Sequence, residues 1–479
     1  LKTTYYVARL LNYQITNLPV YRLNSMDLQN KRVLVVGLGK SGVASALFLK
    51  SRGARVTVSD SKPEAELRDE ILLLLEHGIT VETGGHGERT FRGQDLIVVS
   101  PGVPIDAPQL VQARHLGEPL IGEIELASQF LAGPVIAITG ANGKTTTTSL
   151  TGEIIAAGRF PTLVGGNIGT PAISLVDQAG PATWTVLEVS SFQLETIVEF
   201  RPRIAVILNI TPDHLDRHKT FENYVNAKAR VFENQMAEDF SVLNADEPTT
   251  AGLALRTRAQ LYWFSRKNEA DRGAFVRGDR IYFRDGHGER DIMPLGELGL
   301  KGAHNLENVL AGVCVGMLAG CTPEQIRPAV RGFKAVEHRL EFVARFAGVD
   351  YYNDSKATNV DATIKALESF PANIHLILGG KDKGSDYKVL HPLLRQRVKR
   401  VYTIGAAAAK IESQIKDAAE IDHAETLENA VRRASGVAVA GDVILLAPAC
   451  ASFDQFQSYE HRGRVFKEIV HSLAMARST

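Results

Sequence analysis

Short aliphatic and β-branched runs alternate with stretches of helical period along most of the chain. That alternation predicts βαβ units and parallel sheets. Three groups of strands are expected: 32–36, 54–59 and 96–100; then 135–138, 184–189, 204–209 and 241–244; then 374–378, 401–404 and 443–446. From about 255 to 300 the pattern turns polar, Gly-rich and alternating, as in Ala274-Phe275-Val276 and Arg280-Ile281-Tyr282-Phe283. It predicts small antiparallel strands inserted before a helix that begins near Gly302. The fold class expected is α/β in three domains, each a mainly parallel sheet flanked by helices. An extension over 1–26 precedes domains at 27–122, 123–334 and 335–479.

The chain of 479 residues exceeds what one hydrophobic core usually supports, which agrees with several domains. With 44% apolar and 23% charged residues it is an ordinary folded composition. A formal net charge of zero gives no global attraction to nucleic acid or to a membrane surface, so an anionic ligand must be held by local basic groups. No nucleic-acid partner and no membrane insertion are expected. Cys314, Cys321 and Cys450 follow no ligand spacing and point to a reducing, cytoplasmic setting. Residues 1–26 hold Tyr5, Tyr6, Leu10 and Leu11, but Arg9, Asn12, Gln14 and Arg22 interrupt them, unlike a secretory signal.

The strongest chemical signal is Ile138-Thr139-Gly140-Ala141-Asn142-Gly143-Lys144-Thr145-Thr146-Thr147, after an apolar strand and before a helical segment. Gly140 and Gly143 let backbone N–H groups approach phosphate, Lys144 adds charge toward the outer phosphates, and the Thr145 hydroxyl suits Mg2+. Ile138 stands where the general pattern G-x-x-x-x-G-K-[ST] has glycine, and a ligand-free Gly/Thr turn is the bland alternative. An earlier turn, Gly37-Leu38-Gly39-Lys40-Ser41-Gly42, with Asp60 at the next strand end, fits a dinucleotide fingerprint. That turn admits a NAD-dependent oxidoreductase as a rival class, or plain strand–helix packing. Gly102 sits where another amide can meet the same ligand.

Further polar groups fall at expected strand ends. Glu188 closes one apolar strand, and Asn209-Ile210-Thr211-Pro212-Asp213-His214-Leu215-Asp216 comes after the next. A carboxylate there suits Mg2+. Asn305 and Asn308 share a helix face, where capping explains asparagines as well as base recognition does. Arg339 suits a phosphoryl group, and Lys356 and Thr358 suit a carboxylate. A third glycine turn, 379–384, contains Lys383, and Ser452 comes after the last strand. Lys228 reads by periodicity as an ordinary helix lysine.

Together these motifs resemble the Mur ligases, the ATP-dependent amide-forming enzymes of peptidoglycan synthesis, and within them the D-glutamate-adding branch. The resemblance rests on the Thr-Gly-x-x-Gly-Lys-Thr loop, on 190–195, on 353–359 and on 449–456. It implies a Rossmann-like N-terminal, a P-loop NTPase-like central and a Rossmann-like C-terminal domain, in a monomer. The implied reaction joins UDP-N-acetylmuramoyl-L-alanine to D-glutamate through an acyl phosphate; a relative adding L-glutamate is the alternative. Gly39, Lys40, Ser41, Asp60, Ser61 and Gly102 would bind the UDP portion, with Asn167, Ser190 and His214 at the muramoyl-alanine end. Gly140, Asn142, Gly143, Lys144, Thr145, Thr146, Asn305, Asn308, Arg339 and Asp354 would serve ATP. Lys356, Thr358, Lys383, Ser452 and Tyr459 would hold D-glutamate. Thr145, Glu188, His214 and a carbamylated Lys228 would surround two Mg2+ ions. Lys144, Glu188, His214, Lys228 and Arg339 are the expected catalytic set.

Overall fold

The structure is a computed structural model and describes residues 26–87, 89–300, 302–334 and 337–476. All but Met26 of the expected N-terminal extension lies outside the described residues, as does Lys301 of the segment before the Asn305 helix. Three α/β sheets account for the described strands. In the first, β1 (Arg32–Val36), β2 (Arg55–Ser59), β3 (Thr80–Glu82), β4 (Leu96–Val99) and β5 (Leu120–Gly122) run in the order β3-β2-β1-β4-β5, all parallel. Its central strands are buried on both faces, which is why they appear in the sequence as unbroken apolar runs.

The second sheet has nine strands. They are β6 (Val135–Thr139), β7 (Thr162–Gly166), β8 (Trp184–Glu188), β9 (Ile204–Ile207), β10 (Phe240–Asn244), β11 (Gln260–Ser265), β12 (Gly273–Arg277), β13 (Arg280–Asp285) and β14 (Gly288–Pro294). Their order is β14-β13-β12-β11-β10-β9-β6-β8-β7. The expectation of an antiparallel insert at 255–300 is corrected here: β11 pairs parallel with β10, and β12 pairs parallel with β11. Only β12–β14 form antiparallel hairpins. The parallel sheet therefore continues through β12 before the chain turns back, and the polar alternation marks the exposed edge.

In the third sheet, β15 (Glu341–Phe346), β16 (Val349–Asn353), β17 (Ile374–Gly379), β18 (Val398–Ile404), β19 (Ile421–Glu425) and β20 (Val443–Leu446) lie in the order β15-β16-β20-β17-β18-β19. All neighbours are parallel except the β15–β16 hairpin. The loops after β16, β20 and β17 thus leave one carboxyl edge, where ligands of open α/β sheets gather.

The chain divides into two compact units that do not follow sequence order. One comprises residues up to Pro134 with Gly165–Ala182 and Val189–Arg201; the other comprises Val135–Val164, Thr183–Glu188 and Pro202–Thr479. Among the described residues, no helix is long and apolar enough to cross a membrane.

Gly42, in the helix Lys40–Ser51, packs against the first glycine turn so closely that an added Cβ would lie 1.8 Å from the Gly37 carbonyl oxygen. Nothing lies within 4 Å of a Cβ at Gly39. Gly42→Ala should therefore destabilise the unit of the first sheet by about 2 kcal/mol or more, whereas Gly39→Ala should leave its denaturation midpoint almost unchanged. Urea titration of both variants checks this.

Candidate functional site

In the second unit, β6 delivers the chain into the loop that precedes the helix Lys144–Ala157. Gly140 (φ 155°) and Gly143 (φ 84°) take backbone angles that side chains resist, and a Cβ at Gly143 would meet Asn308 Oδ1 at 2.2 Å. Strands β9 and β8 flank β6, so residues at their carboxyl ends stand beside the loop. Asn209 holds the loop open from below: its Oδ1 accepts from the Asn142 N–H (2.9 Å), its Nδ2 donates to Asn142 O (3.0 Å), and its backbone O accepts from Ala141 N (2.8 Å). Glu188, buried at the end of β8, accepts from Thr145 Oγ1 at 2.7 Å. Arg339 Nη2 donates to the same hydroxyl at 2.7 Å. Lys144 Nζ donates to the loop carbonyls of Gly140 (2.9 Å) and Ala141 (2.8 Å).

Asn305 and Asn308 lie behind this loop, on the helix Ala303–Leu318. Asn308 Oδ1 accepts from Thr147 Oγ1 at 3.2 Å, and its Nδ2 donates to Asn305 Oδ1 at 3.2 Å. The amides thus brace the loop helix, while Thr146 is buried within it.

Lys228, on the helix Phe221–Ala229, is 1% exposed. Its Nζ donates to Gly140 O (2.8 Å) and sits over the Tyr224 ring (4.7 Å). Burial, helped by Lys144, drives its pKa well below the usual lysine range, so the amine is held toward its neutral form. His214 has a left-handed backbone (φ 53°), and burial lowers its pKa, favouring the neutral ring. Its neighbour Asp213 takes a hydrogen bond from Asn359 Nδ2 (3.0 Å) and faces Lys383 Nζ at 4.0 Å.

The third sheet brings its own groups to the loop. Arg339 stands between two left-handed residues, His338 (φ 66°) and Leu340 (φ 42°). That strained turn is tied to the loop after β16: Lys356 N donates to His338 O (3.1 Å), and Leu340 N donates to Asp354 Oδ1 (3.2 Å). Desolvation pushes the Asp354 carboxyl up to about 7. Lys356 Nζ lies 3.6 Å from the Tyr459 ring centre, and burial with Arg339 nearby lowers its pKa to about 7. Thr358 lies in the same half-buried loop, and Ser452 is buried after β20. Asp361 Oδ2 accepts from Asn142 Nδ2 and, at 3.1 Å, from Thr211 Oγ1.

Four residues here were not singled out from sequence. Asn209 and Asp213 stood inside a motif noted for His214, so their signal was available. Asp361 had none, because its meaning depends on Asn142 far away in the chain. Arg462, 0% exposed, donates to Ser355 Oγ (3.0 Å), Ser355 O (2.8 Å) and Cys450 O (3.2 Å), fastening the Lys356 and Ser452 loops together.

The first unit holds a separate set. Gly37 has φ 96°, and Leu38 N (2.6 Å) and Lys62 N (2.8 Å) donate to the two oxygens of Asp60. Gly39, Lys40, Ser61 and Gly102 are exposed and Ser41 half-buried around the N-terminus of the helix Lys40–Ser51. Asn167 is exposed in the turn closed by Gly166 N donating to Thr170 O (2.8 Å). Ser190 caps the short helix Ser191–Leu194, its Oγ accepting from Gln193 N.

Three family models match in succession: the Mur ligase MurD-like N-terminal domain over residues 31–122, the Mur ligase middle domain over 138–316 and the Mur ligase glutamate ligase domain over 338–450. The chain belongs to the Mur ligase family. It is 70% identical over 449 residues to a UDP-N-acetylmuramoylalanine–D-glutamate ligase of Koribacter versatilis, covering 94% of this chain and 99% of that relative. The enzyme of the same name from Acidobacterium capsulatum is 60% identical over 447 residues, covering 93% and 97%. The fold of this Mur ligase is similar to that of a UDP-N-acetylmuramate-alanine ligase from Thermotoga maritima, with a TM-score of 0.57 at 20% identity over 92% of this chain and 100% of the other. A pseudomurein peptide ligase of Methanothermus fervidus gives 0.60 at 20% identity over 93% and 100%.

The depressed pKa of Lys356 has a measurable consequence. Above about pH 7 this amine is largely neutral, and a carboxylate bound to it raises its pKa again. A carboxylate ligand that binds against Lys356 at pH 8 should therefore take up a proton, and one that binds at pH 6, where Lys356 already carries a proton, should not. Titration calorimetry in two buffers of different ionisation enthalpy measures that uptake, and Lys356→Arg should abolish it.

Proposed function

We propose that this Mur ligase joins UDP-N-acetylmuramoyl-L-alanine to D-glutamate, with cleavage of ATP to ADP and phosphate. The observation that carries the reading is the convergence, at one phosphate loop, of Thr145, Glu188 and Arg339 with the Lys356 loop of the third sheet. The 70% identity to a D-glutamate ligase over nearly its whole length supports the choice of amino acid.

In this reading the alanine carboxylate attacks the γ-phosphorus, ADP leaves, and the D-glutamate amine attacks the resulting acyl phosphate, expelling phosphate. Lys144 exchanges the carbonyls of Gly140 and Ala141 for phosphate oxygens. Arg339, beside Thr145, carries charge to the transferring phosphoryl group. Lys356, Thr358, Lys383, Ser452 and the backbone at Tyr459 hold D-glutamate, and Asp354 supports the Arg339 turn beside the nucleotide. Asn305 and Asn308 brace the ATP loop from behind. Gly39, Lys40, Ser41, Asp60, Ser61 and Gly102 take the UDP portion; Asn167, Ser190 and His214 take the muramoyl-alanine end.

Thr145 and Glu188 present hard oxygens 2.7 Å apart, a donor set that suits Mg2+. The lowered proton affinity of the buried Lys228 amine suits addition of carbon dioxide, and the carbamate with His214 would hold a second ion. When bound, the two ions would offset charge on the phosphate oxygens. Domain limits near 27–122, 123–334 and 335–479 belong to the same reading, with Asn167, Ser190 and His214 of the middle span serving the muramoyl-alanine end and Arg339 and Asp354 of the last serving ATP.

Phosphate release measured with a panel of amino acids of both hands tests the proposal. Turnover with UDP-N-acetylmuramoyl-L-alanine and ATP should require D-glutamate; equal rates with L-glutamate or L-lysine would sink it. For the carbamate, Lys228→Ala should lose most activity, with recovery by short-chain carboxylic acids and none by bicarbonate. Unchanged turnover of Lys228→Ala would rule the carbamate out.

A further inference from the structure

Two segments, Gly165–Ala182 and Val189–Arg201, depart from the nine-stranded sheet after β7 and β8 and belong to the unit of the first sheet. Their attachment is unusual in kind. β5 ends at Gly122, whose N–H donates to Thr196 O (3.2 Å), and the next turn carries Glu123 and Glu125, exposed by only 1% and 0%. Glu125 Oε2 accepts from Val198 N (2.8 Å) and Phe200 N (2.9 Å); its Oε1 accepts from Glu199 N (3.1 Å) and Gln129 Nε2 (2.9 Å). Four N–H donors compensate one buried carboxylate, three of them backbone amides of the second segment. Glu123 Oε1 accepts from Ile173 N (2.8 Å) in the first segment, while its Oε2 is buried without a hydrogen-bond partner.

A buried carboxylate whose donors are main-chain amides fixes the path of the backbone itself, where apolar packing leaves it free to slide. Asn167 lies six residues before Ile173 on one segment, by their numbering, and Ser190 opens the other. Ser190 N donates to Gln193 Oε1 (3.0 Å), and Gly122 presses on the same turn, since a Cβ there would meet Thr196 Oγ1 at 2.1 Å.

We propose that Glu123 and Glu125 are positioning residues for UDP-N-acetylmuramoyl-L-alanine: they pin the Asn167 and Ser190 segments to the unit that bears the UDP turn. One body then grips both the UDP portion and the muramoyl end of that substrate. This rests on the assignment of Asn167 and Ser190 to the muramoyl-alanine end.

The test uses the full chain and steady-state kinetics, with competitive inhibition by UDP alone as a second readout. Glu123→Ala and Glu125→Gln should each raise KM for UDP-N-acetylmuramoyl-L-alanine about tenfold. The Ki for UDP and the KM values for ATP and D-glutamate should stay put, because those ligands do not use the pinned segments. Glu123→Gln, which keeps an acceptor for Ile173 N, should restore near-native KM. If Glu125→Gln does not fold, the Ala and Gln pair at 123 decides alone. A normal KM in Glu123→Ala beside a raised KM in Asn167→Ala would overturn the positioning role while leaving the site assignment standing. A normal KM in both Asn167→Ala and Ser190→Ala would overturn the assignment, and the proposal with it. Equal loss of affinity for UDP would show general damage to the unit and also overturn it.

Discussion

The phosphate-loop site is governed by a crowding of cations. Burial holds the proton affinity of Lys144, Lys228 and Lys356 below that of a free lysine; Arg339 lowers that of Lys144 and Lys356 further, and Lys144 lowers that of Lys228 and Lys356. The opposing charge comes chiefly from Glu188, which favours the charged form of all three lysines, and from Asp213. Like charges held close in a desolvated site cost free energy until an anion arrives. A polyanionic ligand relieves that cost. Lys144 donates to the loop carbonyls and Arg339 to the Thr145 hydroxyl. The site is therefore built for a polyanion, and binding energy is released where charge will develop.

Bringing these groups together needs backbone more than side chains. β6 has β8 and β9 as neighbours, so Glu188 and Asn209 flank the loop as a matter of strand order. The third sheet reaches the loop through a strained turn, with left-handed His338 and Leu340 on either side of Arg339. Such angles persist only where surrounding contacts over-determine them, and the bonds from Lys356 N and Leu340 N provide those contacts. Asp361 on Asn142 and Asn359 on Asp213 then join the third sheet's loop to the second sheet's.

The strands legible in the sequence are those buried on both faces: Val33–Val36, Ile204–Ile207 and Val443–Leu446 are continuous apolar runs with almost no exposure. The strands that escaped notice are short or half-exposed, such as β3 and β15, whose alternation is broken by charged residues. β16 escaped although the Lys356 motif lies just beyond it, because Val349–Asn353 carries polar residues on a strand adjoining the sheet's edge. The phosphate loop and Glu188 were legible because their chemistry is local: a glycine turn, a lysine, an acid at a strand end. Asp361 and Arg462 were not, since each acts on residues far away in the chain. The passage of 165–182 and 189–201 to the first unit was equally hidden. Glu125 bonds the amides of Val198, Glu199 and Phe200 and Glu123 that of Ile173, and an acid in a helix turn ordinarily reads as a solvated face.

The glycine turn of the first unit also shows how a fingerprint can mislead. In a dinucleotide fold the acid at the second strand's end binds ribose, and a second mononucleotide half completes the sheet to six strands. Here each Asp60 oxygen already accepts one backbone amide, from Leu38 and Lys62, so the acid shapes the turn and keeps its remaining lone pairs for a ligand. Among the described residues the sheet has five strands. Beyond β5 the chain does not continue toward a sixth strand; Glu123 and Glu125 instead capture the amides of Ile173 and of Val198, Glu199 and Phe200. The place where a nicotinamide half would be built is thus given over to holding segments from another sheet. The helix N-terminus at Gly39 and Lys40 stays open beside this turn, a geometry that suits a phosphate group.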